Sequence, residues 1–332
     1  MPRKKIQIVE TRCKTLLTCR PGNEPPFRWD INIYRGCQHG CPYCFARYTH
    51  EFLNESVYDF EKKIFVKVNA PETLDCEISR PTWQHEIISF GNVTDTYQPI
   101  EWKYQLTRQC LKVLLKHRTP VTILTKSPLV LRDVDVLREI HDSTFCNIAF
   151  SITTSDDTLR KKIEPHTPSV AKRWEAATEL KRHGFRVGVL MMPILPFITD
   201  TEENIEDVIK MAVETGIDYF FYGMLHLRPS AYKHFMPFLR AEHRDAFFKY
   251  CTLYQRAAYL EDEFSKPIFN RIEAIMAKYN FKNKLSDQVW TWKTSAGEQL
   301  TLWDGSFERV LPKAGFPKQA SNEKCVATGE LT

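Results

Sequence analysis

The chain predicts an α/β fold: a partial barrel of six parallel strands with a helical and irregular C-terminal extension. Three observations lead there. Strand-like and helix-like runs alternate from residue 29 to residue 225. Alternation of this kind gives parallel strands joined by right-handed crossovers. The side chains best suited to chemistry fall just after the strand-like runs, where barrels of this kind gather their active sites.

The elements follow in order. Residues 1–28 form a short basic arm whose Pro-Gly-Asn-Glu-Pro-Pro stretch, residues 21–26, reads as a turn-rich linker to the first strand at 29–34. A buried strand is expected at 85–90. A helix follows at 101–117, with apolar spacing at Leu106, Leu111 and Leu114. Then come a β-branched strand at 121–124, a helix at 133–141 and a strand at 145–152. A helix at 169–183 ends at Gly184, before a strand at 185–192. A helix at 201–215 ends at Gly216, before the sixth strand at 217–225. The barrel occupies residues 29–240. Residues 241–332 begin as helix, pass into a tail with Trp, Lys and Gly, and are expected to pack across or beside the barrel.

The 332 residues are 43% hydrophobic, enough for a large core, and 46 basic against 41 acidic residues leave a net charge of only +5. That bias is milder than a nucleic-acid binder often shows, and it neither demands nor excludes an anionic partner. No run approaches the ~20 apolar residues of a membrane helix. No apolar signal core follows the basic start, so the chain reads as cytoplasmic, with no membrane partner. Its ten cysteines are then reduced or metal-bound. Cys13, Cys19, Cys76, Cys110, Cys146, Cys251 and Cys325 are scattered and read as small buried hydrophobes.

The other three stand together in Tyr34-Arg-Gly-Cys37-Gln-His-Gly-Cys41-Pro-Tyr-Cys44, after the first strand. Thiolates are the usual ligands of iron–sulfur clusters. Three cysteines on a four-iron cubane leave one iron open to a small molecule. Gly36 and Gly40 let the loop wrap tightly. The competing reading is a closed four-ligand zinc site with His39 as fourth ligand; the placement after the first strand favours the cluster.

The C-x3-C-x2-C spacing resembles the radical S-adenosylmethionine (SAM) superfamily. The resemblance implies a 4Fe–4S cluster on Cys37, Cys41 and Cys44, whose open iron chelates the amino and carboxylate groups of SAM. One electron, from a flavodoxin- or ferredoxin-like donor protein, then releases a 5′-deoxyadenosyl radical that abstracts hydrogen from a substrate. Tyr43, before the third cysteine, would lie near the adenine. Such chemistry is oxygen-sensitive.

Further segments follow in order: Phe90-Gly-Asn-Val-Thr-Asp-Thr-Tyr-Gln-Pro-Ile-Glu101, Leu124-Thr-Lys-Ser127, Phe150-Ser-Ile-Thr-Thr154, Ile163-Glu-Pro165 and Met192-Pro-Ile-Leu-Pro196. Together they resemble the branch of that superfamily related to spore photoproduct lyase. By position, the resemblance makes Thr94 and Asp95 candidates for the SAM amino group and for holding the loop. It makes Lys126 a candidate for the SAM carboxylate, Ser151 for the ribose or carboxylate, and Met192 for a backbone contact to adenine. A solvated lysine and helix-capping Ser151 and Thr94 are the plainer alternatives. Glu101 is expected to start its helix. Arg132-Asp133 and Glu164-Pro165 are read as crossover structure.

The match departs at two places. The lyase returns hydrogen from a cysteine after its second strand, and the corresponding residue here is Asn92. The tyrosine that follows its third cluster cysteine is Phe45 here. Tyr97, Tyr43 and Cys146 are the residues that remain for a radical relay, with Tyr97 the catalytic candidate. His226 and Arg228, after the sixth strand, alternate toward one side of a strand. They could exchange protons and hold an anionic group, or form a satisfied polar pair. Trp290, Trp292 and Trp303, with Lys284, Lys293 and Arg309, read as packing of a small β-element, with base stacking as the alternative. The leading function is SAM cleavage with hydrogen abstraction from a nucleic acid, peptide or small molecule. DNA-lesion repair of the lyase type and a non-catalytic iron–sulfur or zinc protein that binds nucleic acid are the alternatives.

Overall fold

The computed structural model describes residues 6–19, 28–255, 257–283, 291–293 and 299–301. The 21–26 linker, Lys284, Trp290, Trp303, Arg309 and Cys325 lie outside them, as do the side chains of Trp292 and Lys293.

The strands are β1 (Gln7–Thr11), β2 (Leu17–Cys19), β3 (Trp29–Ile31), β4 (Tyr34–Arg35), β5 (Lys63–Lys67), β6 (Ile88–Phe90), β7 (Val121–Thr125), β8 (Cys146–Ser151), β9 (Arg186–Ile194), β10 (Tyr219–Met224), β11 (Thr291–Lys293) and β12 (Gln299–Thr301). The helices are α1 (Tyr48–Glu51), α2 (Ala70–Ile78), α3 (Glu101–Tyr104), α4 (Leu106–Lys116), α5 (Val134–Ser143), α6 (Asp157–Ile163), α7 (Val170–Arg182), α8 (Glu202–Thr215), α9 (Pro229–Glu242), α10 (Arg244–Leu253) and α11 (Asp262–Lys278).

The main sheet runs β10-β9-β8-β7-β6-β3-β2. From β3 to β10 every pairing is parallel and every strand lies beside the next strand of that series. This is the expected α/β architecture of six parallel strands, left open at its ends. β2 adds an antiparallel edge beside β3. The central strand β8 is covered on both faces: all of Cys146–Ser151 is buried, with an apolar run at Ile148–Phe150. Helix ends follow local chemistry. Thr201 caps α8 by accepting from the Asn204 amide, and Gly216 closes it with φ 70°.

Three features differ from the expectation. The strand expected at 29–34 is two strands, β3 in the main sheet and β4 in a smaller sheet of order β1-β5-β4. The helix expected at 101–117 breaks at Gln105, whose φ is 52°. The break lets the Glu101 carboxylate turn back and accept from the Thr107 amide at 3.1 Å, so Glu101 caps the helix that follows. Arg132 also donates to Glu101, at 2.7 Å. Finally, β5 and α2 occupy the long connection between β3 and β6, where no element was expected.

One core joins the sheet to α4, α5, α7, α8 and α11. A second places Tyr43 and Cys41 against Phe235, Leu239, Tyr250 and Tyr254 of α9, α10 and the residue after α10. The cysteine loop is therefore packed from outside by helices far along the chain. Among the described residues, no helix is long and apolar enough to cross a membrane.

Candidate radical SAM site

The cysteine loop follows β4. Gly36 has φ +85°, and a Cβ there would stand 2.7 Å from the Phe60 carbonyl oxygen, so only glycine fits. Gly40 is also left-handed, with φ +65°. The Cys37 amide donates to the Phe60 carbonyl, and the Cys44 amide to the Cys41 carbonyl. Burial pushes the Cys37 thiol up to about 12 and raises Cys41 and Cys44 as well. These side chains become good thiolates only when a cation compensates their burial.

Residues after β6 tie this loop down. Thr94 Oγ1 donates to the Gly36 carbonyl at 2.7 Å. Gln98 Nε2 reaches the same carbonyl at 3.1 Å, while Gln98 Oε1 accepts from the Gln38 amide at 2.9 Å. Asp95 is a buried knot. It accepts from the Tyr97 and Lys126 amides at 2.9 and 2.7 Å and from the Thr125 hydroxyl at 2.7 Å. His39 Nδ1 lies 3.3 Å from Asp95 Oδ2. Burial lowers the His39 pKa despite this carboxylate, which fixes a neutral ring. Thr94 and Asp95 thus hold the loop with their own side chains.

Across the mouth, Lys126 Nζ donates to Ser151 Oγ at 2.9 Å, and Ser151 Oγ donates to the Met192 carbonyl at 3.1 Å. This chain links the ends of β7 and β8 to β9. Behind it sits Glu164, wholly buried. It accepts from Tyr43 Oη at 2.5 Å, from Arg173 Nη2 at 2.5 Å and from Thr153 Oγ1 at 3.2 Å, with Lys126 Nζ 3.9 Å away. Burial pushes the Glu164 carboxyl up, but Arg173 and Lys126 outweigh it and bring it to about 2. Burial pulls Lys126 down, and Glu164 and Cys41 reverse that, leaving it raised. Both groups stay charged. Reading Glu164-Pro165 as crossover structure missed this carboxylate. Its one sequence signal is an acidic residue just after a short helix, too common to single it out.

Three candidates stand elsewhere. Tyr97 donates its hydroxyl to Asp133 Oδ2 at 3.0 Å, and Arg132 lies 6.0 Å over its ring. His226 and Arg228 do not follow strand alternation, because β10 ends at Met224 after a register shift and Pro229 opens α9. His226 stacks on Tyr259 at 3.7 Å, while Arg228 lies 4.6 Å over Tyr48. Burial, reinforced by Arg228, lowers His226 to about 4. Asn92 donates to Asp30 and Ser89, at 2.5 and 2.9 Å, and Phe45 stacks on Tyr48.

The radical SAM superfamily model matches residues 31–212. An uncharacterized protein of Mycobacterium tuberculosis is 34% identical over 276 residues, spanning 82% of this chain and 81% of that one. This chain belongs to the radical SAM superfamily. An uncharacterized protein of Methanocaldococcus jannaschii is 30% identical over 233 residues, 70% of this chain and 83% of its own. Among solved structures, spore photoproduct lyase with bound AdoMet and dinucleoside spore photoproduct superposes with a TM-score of 0.60 at 15% identity. The match covers 83% of this chain and 79% of the lyase. The lyase complexed with the dinucleoside product alone also gives 0.60. At that identity the likeness is one of fold.

Radical SAM membership implies a 4Fe–4S cluster and SAM, and the residues present fit them. Three thiols belong to one glycine-kinked loop that polar contacts from Phe60, Thr94, Asp95 and Gln98 hold in place. Thiolates are the usual ligands of iron–sulfur clusters. The half-buried ammonium of Lys126 supplies positive charge at the same mouth.

Proposed function

We propose that this radical SAM protein is an enzyme that cleaves SAM reductively and abstracts a hydrogen atom from its substrate. Cys37, Cys41 and Cys44 would hold the 4Fe–4S cluster, with SAM beside it. When bound, this pair supplies a 5′-deoxyadenosyl radical at the cost of one electron from a flavodoxin- or ferredoxin-like donor. The observation that carries the reading is that Glu164 joins Tyr43 of the cysteine loop to Lys126, which is linked through Ser151 to Met192 across the ends of β7 and β8 and into β9.

Each residue then has a task. Lys126 offers N–H donors and a fixed charge to the SAM carboxylate. Ser151 orients Lys126 and hydrogen-bonds the ribose or carboxylate. The Met192 backbone borders the adenine, with Tyr43 near it. Tyr43 is fixed by its bond to Glu164. Thr94 and Asp95 hold the cysteine loop against β6 and β7. His226 and Arg228, at the last strand end, are candidates to meet substrate; Tyr97 would act in radical transfer only by exchanging its bond to Asp133.

Lesion repair of the lyase type is the second reading, favoured by the shared fold. It would need a hydrogen donor other than Asn92, which spends its amide on Asp30 and Ser89. The experiment is anaerobic reconstitution, addition of SAM and a strong reductant, and detection of 5′-deoxyadenosine, with Cys41→Ala as control. Deoxyadenosine from the wild type alone supports the proposal. A bound zinc ion, or an intact four-iron cluster with no deoxyadenosine in the presence of candidate substrates, overturns it.

A further inference from the structure

We propose that Arg47 sets the reduction potential of the cluster, as a fixed positive charge behind the cysteine loop and as a hydrogen-bond donor through Nε to cluster sulfur. The inference rests on Cys37, Cys41 and Cys44 being the cluster ligands. It adds a positioning residue that no motif marks.

Arg47 comes three residues after Cys44, at the end of the turn Phe45–Arg47, and its exposure is 0%. Nη1 donates to the Val57 carbonyl at 3.0 Å and to Glu61 Oε2 at 2.7 Å. Nη2 donates to the carbonyl of Cys41 at 3.1 Å. Phe60, whose own carbonyl accepts from the Cys37 amide, packs 5.5 Å from the guanidinium. Nε is buried and meets no acceptor among the described residues. A buried N–H without an acceptor is costly, so such an atom calls for a partner. In the planar guanidinium, Nε shares an edge with Nη2, and Nη2 is the nitrogen that contacts the cysteine loop. The sulfur atoms carried by that loop are acceptors of the right kind.

The charge acts in the same direction. Reduction adds one electron to the cluster, and a nearby cation favours the more negative state. Cluster potentials follow net charge, hydrogen bonds to sulfur and exposure. Two other basic groups lie beside Glu61: Lys62, whose Nζ is 4.0 Å from Oε1, and His234, whose Nε2 is also 4.0 Å from Oε1 and whose Nδ1 is 3.2 Å from the Pro42 carbonyl. Burial and Arg47 bring His234 down to about 4, so it is neutral at pH 7. Lys126 is the cation on the mouth side, and Glu61 is the counter-ion that tempers Arg47.

The test is a redox titration of the full-length, anaerobically reconstituted protein, followed by electron paramagnetic resonance, with iron and sulfide measured on each sample. Arg47→Gln should make the cluster harder to reduce by tenfold or more in the equilibrium constant, a shift of about 59 mV to more negative potential. Glu61→Gln should move it the other way. Arg47→Lys keeps the charge and loses the fork, and should fall between wild type and Arg47→Gln. A residue that only braces the loop would lower iron loading without moving the potential. Potentials unchanged within twofold at full loading, or moved the same way by Arg47→Gln and Glu61→Gln, overturn the proposal. If Arg47→Gln does not load iron, Glu61→Gln and Arg47→Lys decide. A wild type without iron and sulfide defeats the ligand assignment itself, and this inference with it.

Discussion

Lys126 and Glu164 face each other at 3.9 Å, too far for a hydrogen bond and close enough for attraction between a buried carboxylate and a half-buried ammonium. Glu164 spends its hydrogen bonds on Tyr43, Arg173 and Thr153. Among the described residues, the Lys126 ammonium donates only to Ser151. The carboxylate therefore keeps the lysine charged and in place without consuming its donors, and those donors are what an anionic ligand would take.

Lys126→Met should weaken SAM binding roughly 10- to 100-fold, the worth of one or two charge-assisted hydrogen bonds. Calorimetry on the reconstituted protein would read this, with iron content unchanged. Equal affinity in the two proteins would remove Lys126 from the SAM site.

Glu164 is lowered from its ordinary 4.5 to about 2 on folding. The stability it lends is complete above about pH 4.5 and is lost as the pH falls toward 2, where the folded state must take up the proton. Urea unfolding across that window should show a loss of stability that Glu164→Gln abolishes. At neutral pH the variant should be less stable by about 3–5 kcal/mol, because Arg173 and Lys126 lose their counter-charge. A variant as stable as wild type at pH 7 would contradict this account.

Gly36→Ala should prevent the loop from closing, since its Cβ would meet two carbonyl oxygens at 2.7 and 2.8 Å. The expected signs are a lower melting temperature and iron loading well below wild type. Full loading would mean that the loop has another conformation.

Asp95→Ala strands the Tyr97 and Lys126 amides and the Thr125 hydroxyl without their acceptor. A loss of at least about 1–3 kcal/mol is expected from the unpaired groups. Faster exchange of the Lys126 amide would locate the damage, and an unchanged exchange rate there would count against the knot.

The residues that declare themselves in a linear chain are those whose chemistry is local. Three cysteines and two glycines within nine positions identify the loop because spacing alone brings them together. The parallel strands are legible because burial on both faces favours apolar runs, as at Ile148–Phe150 in β8. β1 has no fully buried residue and β5 alternates buried with half-buried ones, and their pairing joins residues 56 apart, which nothing nearby in the sequence specifies.

Charge partners are harder still. Glu164 looks like any helix-terminal acid until folding places it between Tyr43, 121 residues earlier, and Arg173. Arg47 looks like a surface arginine until Phe60 and Glu61 cover it. His226 and Arg228 share a sequence parity, but the strand that would have turned them to one side ends before either is reached. Type and spacing determine which residues can bind sulfur-ligated iron. Burial, which sets the cost of every unpaired charge and donor, is a property of the assembled layers and is decided only there.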